Sequence, residues 1–427
     1  MQENHLESMN NNIIARLDWL LILMYIILVT FGITNVYSST YNDAVTSIFD
    51  LTQPGGKQIV FLGLSLFIGG LILAINVKFF EQFAMLSYIV GILLLIGLFV
   101  FGKTISGATS WYSFGGTSLQ PSELVKVATA LIVAKSMSLF QTDLKKPTPL
   151  LKIGGFLLLP AFLIVLQPDP GSALIFGAFF FPLFREGLNY FYLFLLLGLV
   201  CLFLITLSFQ IGIAIVIIIT VIAVLFYFIK KSRRKVKVWP FLLILVISIG
   251  FSYSVDFIFN NLFEQRHRDR INIVLGKETD TKGIGYNTNQ SKIAIGSGGF
   301  SGKGFLEGTQ TKGDFVPEQH TDYIFSTIGE EWGFVGGVFV IFLFCGLIMR
   351  IILSAEKQVN RFRRVFSYGV ASLIFVHFLI NIGMSLGMVP TIGIPLPFIS
   401  YGGSSLLAFS ILIFIHLNLD ANRLNEW

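Results

Sequence analysis

The protein has 427 residues, of which 54% are hydrophobic and only 13% are charged, and its formal net charge is +6. Soluble proteins carry about 25% charged residues, so this chain has too few to cover a water-facing surface, and a soluble globular class is excluded. Its Lys and Arg residues cluster between apolar segments, which indicates membrane topology and not a nucleic-acid-binding surface. We therefore predict an integral membrane protein with no nucleic-acid partner.

Twelve apolar segments are candidate membrane helices, since about 20 helical residues cross the hydrocarbon core of a bilayer. The sixth is short and contains Pro182, so an irregular or tilted helix is expected there. The predicted fold class is an all-α polytopic membrane protein with about 12 transmembrane helices and a large structured extracytoplasmic loop. In chain order, the predicted spans are 18–37, 58–76, 83–101, 122–139, 153–166, 172–183, 190–208, 211–229, 239–257, 324–349, 366–386 and 404–419.

The orientation follows from the basic connectors. If the N-terminus lies in the cytoplasm, the inner connectors hold most of the Lys and Arg residues and the short outer ones hold few, as the positive-inside rule requires. The even number of spans then returns the C-terminus to the cytoplasm. The inner basic residues are Lys145, Lys146, Lys152, Arg185, the run from 230 to 237, Lys357, Arg361, Arg363 and Arg364.

One outer connector is long, polar and rich in glycine. It extends from about residue 258 to 323, and a loop of this length escapes the positive-inside rule. Long structured loops usually carry function, so we predict that residues 258–323 form an extracytoplasmic catalytic loop.

A glycine-rich stretch occupies residues 296–304 of this loop. Its backbone N–H groups could approach an anion such as a phosphate, or the stretch could be a tightly turned surface loop. A Walker loop is excluded, because Ser297 and Gly304 stand where that motif needs Gly and Ser/Thr. The two remaining interpretations stay open.

Asp322 lies where the loop re-enters the membrane. A carboxylate at that boundary is costly unless it is paired, hydrated or used, and its surroundings could make it a general base. Alternatively, Thr321 or Asp322 caps the next helix, since acidic residues suit a helix N-terminus. From the residues alone, the helix cap is the favoured interpretation.

Two further polar groups lie beside membrane spans. Glu123 and Lys126 are three residues apart on one helix face, so they can form either a functional or a purely structural ion pair. Asp169 lies between two prolines in a short turn, and the turn explains it better than a metal or substrate role does.

The connector from 388 to 405 contains three prolines and two adjacent glycines, so it cannot continue a helix. Such backbone is tolerated at membrane depth only against protein or a wet cavity. We expect a re-entrant or surface-hugging loop that forms part of a cavity wall, with Ser400 in it.

Five motifs in order resemble the SEDS family (shape, elongation, division and sporulation), over nearly the whole chain. Two stretches, 302–310 and 394–397, are more similar to the branch that acts in cell elongation than to the one that acts in division. The five motifs are 120–123 (QPSE), 167–169 (QPD), 290–299 (QSKIAIGSGG), 317–322 (PEQHTD) and 397–405 (PFISYGGSS).

The resemblance implies a peptidoglycan glycosyltransferase that polymerises lipid II at the outer face of the bacterial cytoplasmic membrane and releases undecaprenyl diphosphate. It also implies a divalent cation, usually Mg²⁺, and a class B penicillin-binding protein as the transpeptidase partner. Asp322 matches the essential aspartate of the family, Glu123 and Lys126 its ion pair, and Arg268 a loop arginine. Members commonly have ten spans, so we expect an extra helix pair within 190–257.

Together these inferences give a mechanistic hypothesis. Asp322 acts as general base on the acceptor hydroxyl, and cationic groups neutralise the diphosphate of the donor. The cation, if a carboxylate holds it, is bound by Asp322 or Asp169. A lipid II flippase, a division-specific polymerase and a non-catalytic scaffold remain alternatives. The candidate substrate-binding residues are Arg268, Lys292, Lys303, Gln310, His320 and Ser400.

Overall fold

The structure is a computed structural model that describes residues 15–41, 47–105, 107–114, 117–139, 143–232, 236–261, 263, 265–277 and 285–423. The chain divides into two compact units. The first comprises Met1–Gly187 and Asn287–Trp427, and the second comprises Leu188–Tyr286.

The described elements are almost all helices. In chain order they are α1 (Trp19–Ser39), α2 (Pro54–Ala74), α3 (Val77–Phe101), β1 (Lys103–Ile105), β2 (Ala108–Phe114), β3 (Thr117–Leu119), α4 (Pro121–Ser138), α5 (Pro147–Val165), α6 (Pro170–Leu174), a 3₁₀ helix (Ile175–Phe179), α7 (Phe180–Arg185), α8 (Tyr190–Ser208), α9 (Ile211–Ser232), α10 (Trp239–Asn261), α11 (Gln265–Val274), α12 (Tyr286–Ser297), α13 (Thr309–Lys312), α14 (Ile324–Glu356), α15 (Arg361–Ser385) and α16 (Gly403–Ala421).

Ten of these helices are long and apolar enough to cross a membrane, and each corresponds to a predicted span. The other two predicted spans are helical but differ in character. Helix α4 carries three charged residues, and the segment Pro170–Arg185 is a short apolar helix interrupted by a 3₁₀ turn. The prediction of a helical, many-pass membrane protein is confirmed, and the sixth span is irregular as expected.

The centre of the first unit is formed by α4, α15 and α16. In the most apolar stretches of α15 and α16, 78% and 89% of residues are buried, whereas only 22% are buried in α2 and 17% in α5. In α4, every residue is buried except Leu124, Lys135 and Ser138. The other helices of this unit therefore surround these three and expose apolar side chains, as lipid-facing helices do.

A small antiparallel sheet between α3 and α4 was not predicted. Its strand order is β1-β2-β3, and Tyr112 pairs with Leu119 in the register of the last two strands. The Tyr112 hydroxyl donates to the backbone oxygen of Leu94 at 2.8 Å, which ties the sheet to α3. The sheet stands directly before Gln120, at the start of α4.

The second unit contains α8 to α11. Thr206 of α8 donates to Ser252 of α10 at 3.0 Å, and the rings of Phe226 and Phe241 pack edge-to-face between α9 and α10. The predicted region 190–257 lies entirely in this unit. Which of its helices form the extra pair stays a prediction.

The predicted catalytic loop 258–323 is divided between the units. Its first part, which carries Arg268, belongs to the second unit, and its later part, from Asn287 onward, belongs to the first. The loop is not irregular, because the end of α10 and all of α11, α12 and α13 lie in it. Residues 262, 264 and 278–284 lie outside the described part of the chain.

Candidate active site

Asp322 lies in a turn directly before α14. The helix begins at Ile324, and its N-cap is Tyr323, which makes no side-chain cap hydrogen bond. Neither Thr321 nor Asp322 is therefore the N-cap, and the helix-cap interpretation does not hold. The Asp322 side chain is half-buried, at the boundary between the loop and the membrane helix.

The backbone around Asp322 is held from two directions. The Asn381 side chain donates through Nδ2 to the backbone oxygen of Asp322 and to that of Ile394, both at 2.8 Å. From the other side, the hydroxyl of Ser400 donates to the backbone oxygen of Thr321 at 2.6 Å. These bonds fix the position from which the carboxylate of Asp322 projects.

The segment between α15 and α16 forms a wall beside Asp322. Its backbone is irregular, as the prolines predict, and Gly393 has a φ of +71°. Oδ2 of Asp322 lies 3.5 Å from the position that a Cβ on Gly393 would occupy. A side chain at 393 would therefore point at the carboxylate, and glycine keeps that space open.

Three hydroxyl groups join α12, the turn at Asp322 and this wall. The Tyr323 hydroxyl lies 2.5 Å from Oγ1 of Thr391 and 3.1 Å from Oγ1 of Thr288. The two threonine hydroxyls are 3.3 Å apart. Tyr323, which follows Asp322 in the chain, is only 1% exposed. The buried hydroxyl cluster therefore anchors α12 to the turn at Asp322.

Lys292 lies one helical turn after Thr288 on α12, so its side chain is on the same face of the helix. It is exposed, and its Nζ lies 3.5 Å from where a Cβ on Gly387 would stand, at the end of α15. Its ammonium group makes no hydrogen bond or ion pair with the part of the chain that the structure describes. Lys292 is therefore the predicted cation best placed to meet an anionic substrate group.

Lys303 and Gln310 bind a buried carboxylate that the sequence analysis missed. Glu330 is fully buried inside α14, and its Oε1 accepts from Nζ of Lys303 at 2.7 Å and from the backbone N–H of Gln310 at 2.8 Å. Its Oε2 accepts from the backbone N–H and the hydroxyl of Thr311, each at 2.8 Å. Glu330 therefore holds the loop 303–311 in place. The substrate-binding roles of Lys303 and Gln310 stay predictions, and an ion pair already occupies Lys303.

The glycine-rich stretch closes a break in α14. The helix is interrupted at Gly333, and the backbone N–H groups of Lys303 and Gly304 donate to the backbone oxygens of Glu330 and Glu331, both at 3.0 Å. A Cβ on Gly302 would come within 2.1 Å of the Glu331 oxygen. Because these N–H groups already donate to backbone oxygens of α14, the structure favours a tightly turned loop over an anion site in this stretch.

His320 precedes the turn at Asp322 and is half-buried. Its backbone oxygen accepts from the N–H of Tyr401 at 2.8 Å, and the two rings are 5.8 Å apart between centroids. Burial lowers the pKa of the imidazole, while the carboxylates of Glu318 and Asp314 act in the opposite direction. Near neutral pH His320 is thus suited to hydrogen bonding rather than to carrying charge.

Glu123 and Lys126 form the predicted ion pair, and a third residue extends it. Their side chains are each 2% exposed, with Nζ of Lys126 at 2.7 Å from Oε1 of Glu123 and 2.9 Å from Nε2 of His377. The other ring nitrogen of His377 lies 3.2 Å from the backbone oxygen of Pro395. The pair is therefore linked through His377 to the wall that flanks Asp322.

Asp169 is the N-cap of α6. Its Oδ1 accepts from the backbone N–H of Ser172 at 3.0 Å, and its Oδ2 accepts from the Ser172 hydroxyl at 2.8 Å and from Gln120 at 3.4 Å. Three donors therefore occupy the carboxylate, as the turn interpretation predicts. Within the described ranges no group of three or more His, Cys, Asp or Glu side chains could hold a metal ion.

Arg268 lies on α11 in the second unit. Its Nη1 donates to the backbone oxygen of Asn260 at 2.9 Å, which fixes the connection between α10 and α11. The other candidate residues all lie in the first unit. The substrate-binding role of Arg268 stays a prediction.

The sequence matches the family model for cell cycle proteins of the FtsW, RodA and SpoVE type over residues 18–208 and 182–425. The chain belongs to this family. The predicted SEDS membership is thereby confirmed.

Curated relatives are named for both branches of the family. The peptidoglycan glycosyltransferase MrdB of Escherichia coli K12 is 32% identical over 79% of each chain. RodA of Treponema pallidum is 32% identical over 96% of this chain and 99% of its own length. A probable peptidoglycan glycosyltransferase FtsW of Trichlorobacter lovleyi is 31% identical over 96% of this chain and 94% of its own length. The predicted activity matches the one named for these relatives.

Solved structures share the fold. One chain, from a peptidoglycan synthase complex that coordinates polymerization and crosslinking, superposes with a TM-score of 0.69 at 25% identity and covers 95% of this chain and 98% of its own. RodA of Thermus thermophilus superposes with a TM-score of 0.60 at 24% identity, over 95% and 97%.

Proposed function

We propose that this many-pass membrane protein is a peptidoglycan glycosyltransferase that polymerises lipid II at the outer face of the bacterial cytoplasmic membrane. The observation that carries the proposal is the placement of Asp322. Its carboxylate stands at a membrane boundary beside the open space at Gly393, and its backbone is fixed by Asn381. A fixed carboxylate with room beside it is what a general base for a large, lipid-held acceptor requires.

In this mechanism Asp322 accepts the proton of the acceptor hydroxyl as its oxygen attacks C1 of the donor sugar. The bond between C1 and the phosphate oxygen breaks, and undecaprenyl diphosphate leaves with the bonding electrons. Lys292, one turn beyond the hydroxyl cluster at Tyr323, supplies positive charge to the diphosphate as charge develops on it. Neutral, half-buried His320 supplies hydrogen bonds to the sugars.

A divalent cation, Mg²⁺ in the proposal, would neutralise the diphosphate further. Mg²⁺ commonly uses one or two carboxylates plus substrate phosphates rather than an all-protein cage. A half-buried carboxylate at the membrane boundary, such as Asp322, fits that pattern. Asp169 stays the alternative cation contact, and we assign no resident metal cage.

The test uses purified full-length protein and labelled lipid II. Wild-type protein gives glycan ladders that disappear with a chelator and return with Mg²⁺, and Asp322→Asn lowers the rate by about 10²-fold or more. The matched control is Glu307→Gln, at an exposed carboxylate of the same loop, which keeps the wild-type rate. Folded Asp322→Asn protein that still polymerises at the original rate contradicts the assignment.

Transport of lipid II is the main rival, because it would also use polar groups inside a helical bundle. A transporter needs such groups along a path across the membrane. Here the buried polar groups Glu123, Lys126, His377 and Asn381 bond to one another or to the wall at Asp322, which supports chemistry at one face. A lipid II translocation assay in vesicles separates the two functions.

We assign the enzyme to cell elongation, on the stretches 302–310 and 394–397. The sequence identities to the RodA and FtsW relatives, 32% and 31%, do not distinguish the two branches. The test is to deplete this protein in its host cells and to observe the cell shape. Rounded cells support elongation, and filaments indicate the division-specific alternative.

We also propose a class B penicillin-binding protein as the partner. The similarity to a chain of a synthase complex that couples polymerization to crosslinking supports a transpeptidase partner. Co-purification of such a transpeptidase with the tagged protein, and a rise in polymerisation when it is added, are the expected results. A scaffold without activity of its own would instead show no polymerisation with the partner and no effect of Asp322→Asn.

A further inference from the structure

A polar cavity lies at the opposite end of α14 from Asp322. Its volume is about 140 Å³, and it is formed where the chain enters α1 and where α14 and α16 end. At about 1.5 Å per helical residue, Arg350 in this cavity lies about 40 Å along α14 from Ile324. The cavity is therefore separate from the candidate active site.

Basic side chains dominate this cavity. Four Lys or Arg residues and two Asp residues line it, which leaves a formal charge of +4 − 2 = +2. They are Arg16, Arg350, Lys357, Arg423, Asp18 and Asp420.

Both carboxylates are already engaged by the protein. Asp18 accepts from Nε of Arg350 at 2.6 Å through Oδ2 and from the backbone N–H of Leu21 at 3.2 Å through Oδ1. Asp420 accepts from Nε2 of Gln358 at 3.0 Å. The acidic side chains therefore do not leave an open cation site.

The groups without partners in the described chain are donors. Ser354 is 6% exposed, and its buried Oγ has no hydrogen-bond partner although it lines the cavity. The ammonium group of Lys357 makes no hydrogen bond or ion pair there. Arg423 makes only a long ion pair, with Nη1 at 3.8 Å from Oδ1 of Asp420, which is too far for a hydrogen bond. A buried hydroxyl without a partner together with the unpaired ammonium group of Lys357 is what an anion site provides.

We propose that this cavity binds the phosphate group of an anionic phospholipid headgroup. The cavity volume suits one phosphate-sized group, and basic pockets between membrane helices on the cytoplasmic side recognise such headgroups. Lipid is favoured over free phosphate because exposed apolar side chains accompany the cavity: Leu353, which lines it, is 48% exposed, and Trp19, which follows the lining residue Asp18 in the chain, is 58% exposed. Acyl chains can lie along that surface while the phosphate enters the pocket.

Native mass spectrometry of the full-length protein in mixed micelles tests the proposal. With equal amounts of phosphatidylglycerol and phosphatidylcholine, the wild type retains phosphatidylglycerol preferentially. Lys357→Gln and Arg423→Gln each lower that retention about five-fold, the effect expected per basic residue. Lys152→Gln, an exposed lysine outside the cavity, is the matched control and retains the lipid as the wild type does.

Ser354→Ala separates binding from folding. Its hydroxyl has no partner in the described chain, so the variant keeps the melting temperature of the wild type in phosphatidylcholine and loses part of the stabilisation by phosphatidylglycerol. Equal retention of both lipids, or cavity variants that behave like Lys152→Gln, overturns the proposal. If inorganic phosphate alone raises the melting temperature as much as phosphatidylglycerol does, the lipid assignment is wrong.

Discussion

Two buried asparagines make the same kind of contact in different places, and they offer a controlled test of the candidate site. Asn381 donates to two backbone oxygens, one of them that of Asp322. Asn418 donates to the backbone oxygens of Ile72 and Ile75 at 2.6 and 2.9 Å, away from Asp322. Both side chains are 0% exposed.

Substitution of either asparagine by leucine removes its side-chain donors from two backbone oxygens, at about 1–3 kcal/mol for each oxygen that is left without a partner. We expect Asn381→Leu and Asn418→Leu to lower the melting temperature similarly. Only Asn381→Leu should also lower the turnover of the folded enzyme, on the order of 10–100-fold, because it releases the backbone that positions Asp322. Equal turnover in both variants would show that Asn381 has no positioning role.

The lowered pKa of His320 predicts a dependence of stability on pH. The unfolded chain binds a proton at His320 below about pH 6.5, whereas the folded chain resists it, so stability is lost as the pH falls below that value. The melting temperature of the wild type should therefore drop more steeply between about pH 6.5 and 5 than that of His320→Gln. Identical curves would contradict this, since the difference between them isolates His320 from the other histidines.

At the residue scale, the sequence singled out Asp322 but not the residues that surround it. The position of Asp322 between a polar loop and an apolar span could be read directly. The ion pair of Lys303 with Glu330 could not be predicted, because Glu330 lies within an apolar span that only the folded chain brings against the loop. His377 and Asn381 are four residues apart on one helix face, a polar spacing in an apolar span that signals an interior contact.

At the scale of elements, the break in α14 at Gly333 depends on the glycines opposite it. Gly302 has a φ of +82°, and a Cβ there would collide with the backbone of Glu331. Gly296, at the end of α12, has no atoms within 4 Å of its Cβ position. The two positions therefore respond differently to alanine.

We expect Gly302→Ala to destabilise the protein by about 1–2 kcal/mol through the left-handed backbone alone, with the collision added to it. Gly296→Ala should be neutral or stabilising by up to about 1 kcal/mol, because alanine favours a helix. Thermal unfolding in detergent measures both. A Gly302→Ala variant as stable as Gly296→Ala would contradict the close contact between the loop and the helix break.

The elements themselves were predicted unevenly, for physical reasons. Each long helix is specified locally, because about 20 apolar residues suffice to place a span. The β-sheet was missed because its strands are short and pair with each other in a connector, where no long alternating pattern is possible. The hydrogen bonds that make the glycine-rich stretch part of α14 are likewise invisible in the local sequence.

For the whole molecule, mean hydropathy alone does not distinguish the central spans from the outer ones. The most buried spans, α15 and α16, have mean hydropathies of 1.9 and 1.6, while α8 and α9, only 11% buried, reach 2.6 and 3.0. The outer helices α2 and α5 have the same mean hydropathy as α15, 1.9. Polar residues in a membrane protein face the bundle interior, and α15 buries His377 and Asn381. The positions of the long spans could be predicted from apolar runs, but this arrangement requires reading their polar residues.

The orientation of the whole molecule gives a last prediction. The charge bias predicts that Lys152 faces the cytoplasm and that Lys312, in the loop before Asp322, faces outward. Both side chains are exposed. In a background where Cys201 and Cys345 are replaced by alanine, Lys312→Cys should react with a membrane-impermeant maleimide in intact spheroplasts, and Lys152→Cys should react only after permeabilisation. This placement is required if Asp322 is to meet lipid II at the outer face. The reverse labelling pattern would indicate the opposite topology and would contradict a meeting of Asp322 with lipid II at the outer face.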